Sequence, residues 1–296
     1  MSAPATTGSS AAARSSKRSA INAAAITKVV WVSSIPWGLV SAAIIGVALG
    51  FAFNWIVGLV LGLVAGAAIA AARTLMLRAA VVTGLKAVFG GVSATTQDQP
   101  RLINLVEGLC VSTGIVEPAV LILDDPGANV ATFGPPGEAV LVVTTGLLAA
   151  LGRVELEAVV AEALVRIQQR DAELAGVVAT FVLGRVVRSG PGRGGSDPRA
   201  RIERSAAAAG AAFDPNRHLL ADLAAVSVTR FPPGLRTAIA KMVETGSAVA
   251  SATWGSAHCW MCDPLPVTVE SGDSKLAAAV RLHPDPRLRL DLLAEL

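Results

Sequence analysis

Three rhythms of apolar and polar residues follow one another along this chain. The first 28 residues are rich in Ala, Ser and Thr, with Arg14, Lys17, Arg18 and Lys28 and no hydrophobic period. That composition predicts a disordered basic tail. Residues 29–72 then run without a single charge, from Lys28 to Arg73. One membrane span takes roughly 20 apolar residues, so this run predicts two, over about Val29–Phe51 and Trp55–Ala72, turning near the polar Asn54. It is far too long for a signal peptide. Residues 73–92 continue as a helix with basic Arg73, Arg78 and Lys86, lying along the membrane surface or packed on a globular body.

Beyond the polar linker Ser93–Pro100 the segments shorten to globular length. Arg101–Leu109 reads as a helix, and Ala119–Leu123 and the run Ala139–Gly146 as strands. Leu156, Val159, Val160, Ala163, Leu164 and Ile167 recur at three- and four-residue spacing, making Val154–Asp171 an amphipathic helix. Leu174–Gly184 is apolar but stops at Arg185, too short to span, which predicts a buried or membrane-surface helix. Ser189–Pro198 is a flexible loop by composition. Asn216–Arg230 and Phe231–Met242 are two further helices. The expected organisation is a tail (1–28), a transmembrane hairpin (29–72), a juxtamembrane helix and linker (73–100) and a body (101–296) with its loop at 189–198.

Composition sharpens this picture. At 53% hydrophobic and 16% charged residues the chain is too apolar for an ordinary soluble protein, so a lipid bilayer is its first expected partner. A net charge of +3 gives no case for nucleic acid. Basic residues flank both outer ends of the hairpin and its turn has none, which predicts a multi-pass cell-membrane protein with both termini and the body in the cytoplasm. Trp31 and Trp55 fall where aromatic belts sit at opposite interfaces. Three cysteines are no disulfide framework, in keeping with a reducing compartment. Gly58, Gly62 and Gly66 repeat at four-residue spacing, with Gly46 and Gly50 on the first span. Such glycines close a hairpin on itself or, used outward, form a homodimer face.

The order of elements carries a resemblance. Val143-Thr-Thr-Gly-Leu-Leu148 leads into the helix holding Ala161-Glu162-Ala163-Leu164-Val165, and this frame resembles the central helix of the M48 family of membrane zinc peptidases, the HtpX/Ste24 type. There the helix carries H-E-x-x-H; here Ala161 and Val165 stand in the two histidine positions and Glu162 alone is kept. Gly114-Ile-Val-Glu-Pro118 with the following strand is similar to the family's "GIxxPxVxVxD". Asp124–Gly134 stands where active members have the segment leading to the edge strand beside the substrate; Asn129 and Gly134 match it, and both read as turn residues. Asn216–Arg230 resembles the helix supplying the third zinc ligand, with His218 in place of glutamate and Asp222 retained one turn on. Phe231–Met242, Ser256–Leu265 and Leu282–Leu290 also follow family patterns. The resemblance implies a mainly helical α+β fold: the transmembrane hairpin followed by a zincin-like cytoplasmic domain with a polypeptide-binding groove.

What the residues imply for chemistry is less favourable. Imidazoles one turn apart on a helix reach one zinc, whereas a methyl and an isopropyl group carry no donor. The site at Ala161, Glu162, Val165, His218 and Asp222 reads as degenerate, with no catalytic residue, cofactor or metal expected; any metal would have to use His218, Glu162 and Asp222. Cys259 and Cys262, beside His258, lack the second ligand pair of a structural zinc site, and packing is the expected role. The expectation is a membrane-anchored pseudopeptidase that binds a polypeptide or membrane-protein partner as scaffold or regulator. The alternatives are an active zinc endopeptidase using substitute ligands and a structural subunit of a membrane complex with its groove filled in.

Overall fold

A computed structural model describes residues 6–183, 209–253, 255–265 and 283–296. Two long antiparallel helices open it, α1 (Thr6–Ala52) and α2 (Trp55–Phe89). The turn falls where the sequence placed it: Asn54 caps α2 by accepting the amide of Ile56 at 2.8 Å. Both helices are long and apolar enough to cross a membrane. Trp31, Leu39, Ile44 and Phe51 of α1 and Ile56, Leu63, Leu75 and Met76 of α2 point outward and are exposed. The band from Trp31 to Ala52 is about 30 Å long at the helical rise, the thickness of a bilayer's hydrocarbon.

The glycines are spent within this pair. Gly58, Gly62 and Gly66 are buried against Gly38, Ala42, Gly46 and Gly50 of α1, and a Cβ built on Gly58 would lie 2.5 Å from the Gly46 carbonyl. Of the two uses open to Gly58, Gly62 and Gly66, they serve here to close the hairpin on itself.

The basic tail departs from expectation. The tail is helical from Thr6, and its buried Asn22, Ile26 and Val30, four residues apart, face the body. Arg18 pairs with Asp214 at 2.9 Å and Asn22 donates to the Gln169 carbonyl at 2.8 Å. Residues 73–89 continue α2, and of the two placements open to them it is the one on the body that they take, with Val81, Leu85 and Phe89 buried there.

The body is built on a four-stranded sheet of order β1-β2-β4-β3: β1 (Val92–Ser93), β2 (Ala119–Leu123), β3 (Val130–Phe133) and β4 (Val140–Thr144). β4 lies parallel to β2 with Leu121 opposite Val142, and antiparallel to β3 with Leu141 opposite Thr132. Gly134, at φ +96°, begins the turn between β3 and β4, a left-handed geometry that glycine adopts without strain. α3 (Pro100–Thr113) precedes β2. After β4 come α4 (Thr145–Ala150), α5 (Arg153–Gln168), α6 (Asp171–Val178) with a π-turn over Ala179–Leu183, α7 (Arg217–Thr229), α8 (Pro232–Thr245) and α9 (Pro286–Ala294). The predicted helix Val154–Asp171 breaks near its end, where Arg170 takes φ +59° and α6 sets off in a new direction. The flexible loop expected at 189–198 lies outside the described residues.

Alternation along β4 explains the layering. Leu141 and Val143 enter one core with α3, α5 and α8, whereas Val140 and Val142 enter a second core with α1, α2 and α6. A strand buried on both faces reads as a continuous apolar run, as Ala139–Val143 does. One face of the sheet is thus covered by the hairpin helices themselves, so the body begins before residue 101.

Candidate functional site

α5 is buried on every side from Ala158 to Ile167, and α7 packs directly against it. Ala161 and Val165 are buried, at 1% and 3% exposure, within this helix pair. Glu162 shares the helix and is wholly buried, and neither carboxylate oxygen has a hydrogen-bond partner among the described residues. Burial pushes its carboxyl up to about 7; Asp222 and Asp171 add to that, and Arg166 and Arg289 oppose it. α7 supplies Arg217, His218 and Asp222, all buried. His218 accepts the Arg217 Nε–H at Nε2, 3.3 Å away, and its ring lies 4.8 Å from that of His283. Burial, with Arg217 next in effect, holds His218 well below the usual histidine range, so it is neutral. Burial brings His258 and His283 down to about 3.

The rest of the site is ionic. Arg289 of α9 grips both oxygens of Asp222 at 2.7 Å. Arg166, one turn after Glu162, donates to Asp171 at 2.9 Å, and Arg217 stands 3.7 Å from the same carboxylate. Although burial works the other way, Arg217 and Arg166 hold Asp171 below the ordinary carboxylate value. Three buried guanidinium groups therefore face two committed carboxylates, and Glu162 is the group whose ionisation would balance them. Arg166, Asp171, Arg217 and Arg289 were not singled out from the sequence. The available signal was a charge at each of two positions, Arg166 and Asp171, beside an otherwise apolar helical stripe.

This donor set does not fit a catalytic zinc. Such an ion takes three protein donors and keeps a water. Ala161 and Val165 offer none, Asp222 is occupied by Arg289, and the Nε2 lone pair of His218 is used by Arg217. Among the described residues no group of three or more His, Cys, Asp or Glu side chains could hold a metal ion. His218, Glu162 and Asp222 share one helix pair but do not converge as ligands. Cys259 and Cys262 are buried thiols, raised by burial to about 12 and about 11, far from the thiolate that redox or metal chemistry needs. Asn129 departs from the turn role expected of it. It is fully buried, donates to the Ser247 and Cys262 carbonyls at 2.8 and 3.0 Å, and accepts from the amide of Cys262.

Comparison with known proteins agrees with this layout. A protease HtpX homologue of Dictyoglomus turgidum is 32% identical over 199 residues, covering 60% of this chain and 65% of the relative's length. Another, of Tropheryma whipplei, is 28% identical over 197 residues. A third, of Ligilactobacillus salivarius, is 26% identical over 278 residues, 85% of this chain and 91% of its own. This chain is similar to HtpX-like peptidases of the M48 type, and it spans just under two thirds of the length of the first of these relatives. No family model and no solved structure matches it. The HtpX-like relatives and the two helices long and apolar enough to cross a membrane together support a membrane protein.

Proposed function

We propose that this chain is a membrane-anchored, non-hydrolytic member of the HtpX-like family, its body and both ends in the cytoplasm, serving a partner membrane protein as scaffold or regulator. The observation that carries this reading is the exchange of ligands for hydrocarbon on α5. The side chains of Ala161 and Val165 carry no lone pair, and of the carboxylates nearby Asp171 and Asp222 are bound to arginines, which leaves Glu162 alone without a hydrogen-bond partner among the described residues. A peptidase of this class needs a metal to generate its nucleophile and polarise the carbonyl. Glu162 alone supplies neither, since a carboxylate is a weak activator of water toward an amide.

Metal analysis of protein purified in detergent without chelator tests the reading directly. The expected result is no stoichiometric zinc and no hydrolysis of unfolded polypeptide. Ala161→His, Val165→His and His218→Glu together should be needed before metal binding returns, with no single reversion sufficient. A second reading, hydrolysis through substitute ligands, draws on the uncommitted carboxylate of Glu162. One zinc per chain, lost with proteolysis in Glu162→Gln, would establish it. For topology, cysteines placed at Ser2 and Glu295 on a background without native cysteines should resist an impermeant thiol reagent in intact cells.

A further inference from the structure

The free edge of a sheet is a general docking site for extended chain, because its unpaired N–H and C=O groups accept any strand that reaches them. β3 is such an edge, and it packs against α5, the helix of Ala161, Glu162 and Val165. In this protein the edge is taken. Trp260 forms an antiparallel bridge with Ala131, and the amide of Met261 donates to the Val130 carbonyl at 2.8 Å. We infer that the cleft is filled in cis: His258–Cys262 lies along β3 in the manner of a bound peptide and closes that edge to any other polypeptide.

The grip on this strap is continuous. Five successive carbonyls each accept a hydrogen bond from a side chain of the cleft. That of His258 receives Arg166 and Arg217, that of Cys259 receives Arg166, and that of Trp260 receives His283. Met261 is held by Arg289 and Cys262 by Asn129. The donors come from α5, α7, α9, the approach to β3 and the segment before α9, which are separate walls of one cleft. All five strap residues are at most 5% exposed. The indole of Trp260 packs edge-on against Phe89, 5.4 Å between centroids, and Phe89 stacks on Phe133 of β3 at 5.1 Å. The strap is thus pinned by backbone on one side and by the end of a hairpin helix on the other.

Such a strap does not behave as a lid. Lifting it would strip carbonyl partners from three buried guanidinium groups at once, and buried donors without partners are costly. The polypeptide groove implied by the family resemblance is therefore not available on this edge, and a partner must be met on another surface. The inference concerns access and not chemistry, so it stands or falls apart from the non-hydrolytic reading.

Native cysteines report on it without any substitution. Cys259 and Cys262 lie on the strap, while Cys110 lies on α3, outside it. Full-length protein in mild detergent is treated with a maleimide and each thiol followed by peptide mass mapping. A strap that opens only with the whole body lets Cys259 and Cys262 react within about tenfold of the rate at Cys110. Reaction more than about tenfold faster than Cys110, with the melting temperature unchanged, overturns the inference. Hydrogen exchange gives a second reading: the amides of Met261 and Cys262 should be as protected as those of Val142 and Val143 in β4, and their full exchange while β4 stays protected also overturns it. An opening strap without hydrolysis defeats this inference alone. Hydrolysis with a closed strap defeats only the non-hydrolytic reading.

Discussion

Replacing Arg289 by methionine should be among the most damaging single changes in the body. Among the described residues its guanidinium is the sole hydrogen-bonded partner of both Asp222 oxygens, at 2.7 Å, it also donates to the Met261 carbonyl at 2.9 Å, and both side chains are buried. With charge centres about 4 Å apart and an effective dielectric near 20, the attraction is about 4 kcal/mol. Breaking one partner of a buried pair costs roughly 3–5 kcal/mol, because the remaining charge is stranded. At roughly 2–4 °C per kcal/mol for a body of this size, Arg289→Met should lower the melting temperature by roughly 6–20 °C. The pair itself is a different matter. Arg289→Met combined with Asp222→Leu removes both charges, and such replacements are often neutral or stabilising. The double variant should therefore recover most of the loss. The assay is thermal unfolding of the full chain in one detergent, followed by tryptophan fluorescence with circular dichroism as a check on fold. A single variant that melts within about 2 °C of the parent would refute the reasoning, as would a double variant no better than the single.

Glu162→Gln should stabilise the protein in a pH-dependent manner. The folded carboxyl is raised to about 7 from an ordinary value near 4.3, so its penalty is absent below pH ~4, grows as pH rises between the two values and is full above the higher, at roughly 3 kcal/mol. Melting curves should show the variant's gain at pH 8 and none at pH 4.5; an equal gain at both would contradict the assignment. In the hairpin, a Cβ at Gly62 meets the Ala42 carbonyl at 2.6 Å, so Gly62→Leu should force the helices apart and depress melting sharply. Gly84 meets nothing within 4 Å, and Gly84→Ala should instead stabilise by roughly 0.5–1 kcal/mol, read from the same melts.

Much of the scaffold was legible because its signals are local. The charge-free run, the Asn54 turn, the strand Ala119–Leu123 and the helices flanking the site follow from hydropathy and period within a few residues of sequence. The tail was misread because Asn22, Ile26 and Val30 sit in an Ala-rich stretch whose pattern is too sparse to see, and only the body they pack against gives them meaning. For residues 73–89 two placements stayed open, because Arg73, Arg78 and Lys86 interrupt the apolar pattern of the buried Val81, Leu85 and Phe89. At the site, Ala161, Val165, His218 and Asp222 could be placed by order along the chain. The partners of Asp222 and Asn129 could not, since Arg289 is 67 residues from the first and Cys262 is 133 from the second. Sequence spacing is blind to pairings of that length.

The passage of α1 and α2 from the apolar band straight into the second core has a consequence for encounters. Between Met76 and Phe89 the helix rises roughly 20 Å, and Phe89 ends against the sheet and Trp260. A body joined to its anchor in this way keeps its height, its tilt and its downward face; in a bilayer only sideways drift and spin about the membrane normal remain. Any neighbour in the same membrane then samples the body at fixed altitude, with most of the orientational search already removed. A partner of the kind proposed is then selected by geometry before chemistry: its complementary patch has to stand at the level of the body, which begins where Ile26 and Val30 enter its core, at the edge of the apolar band.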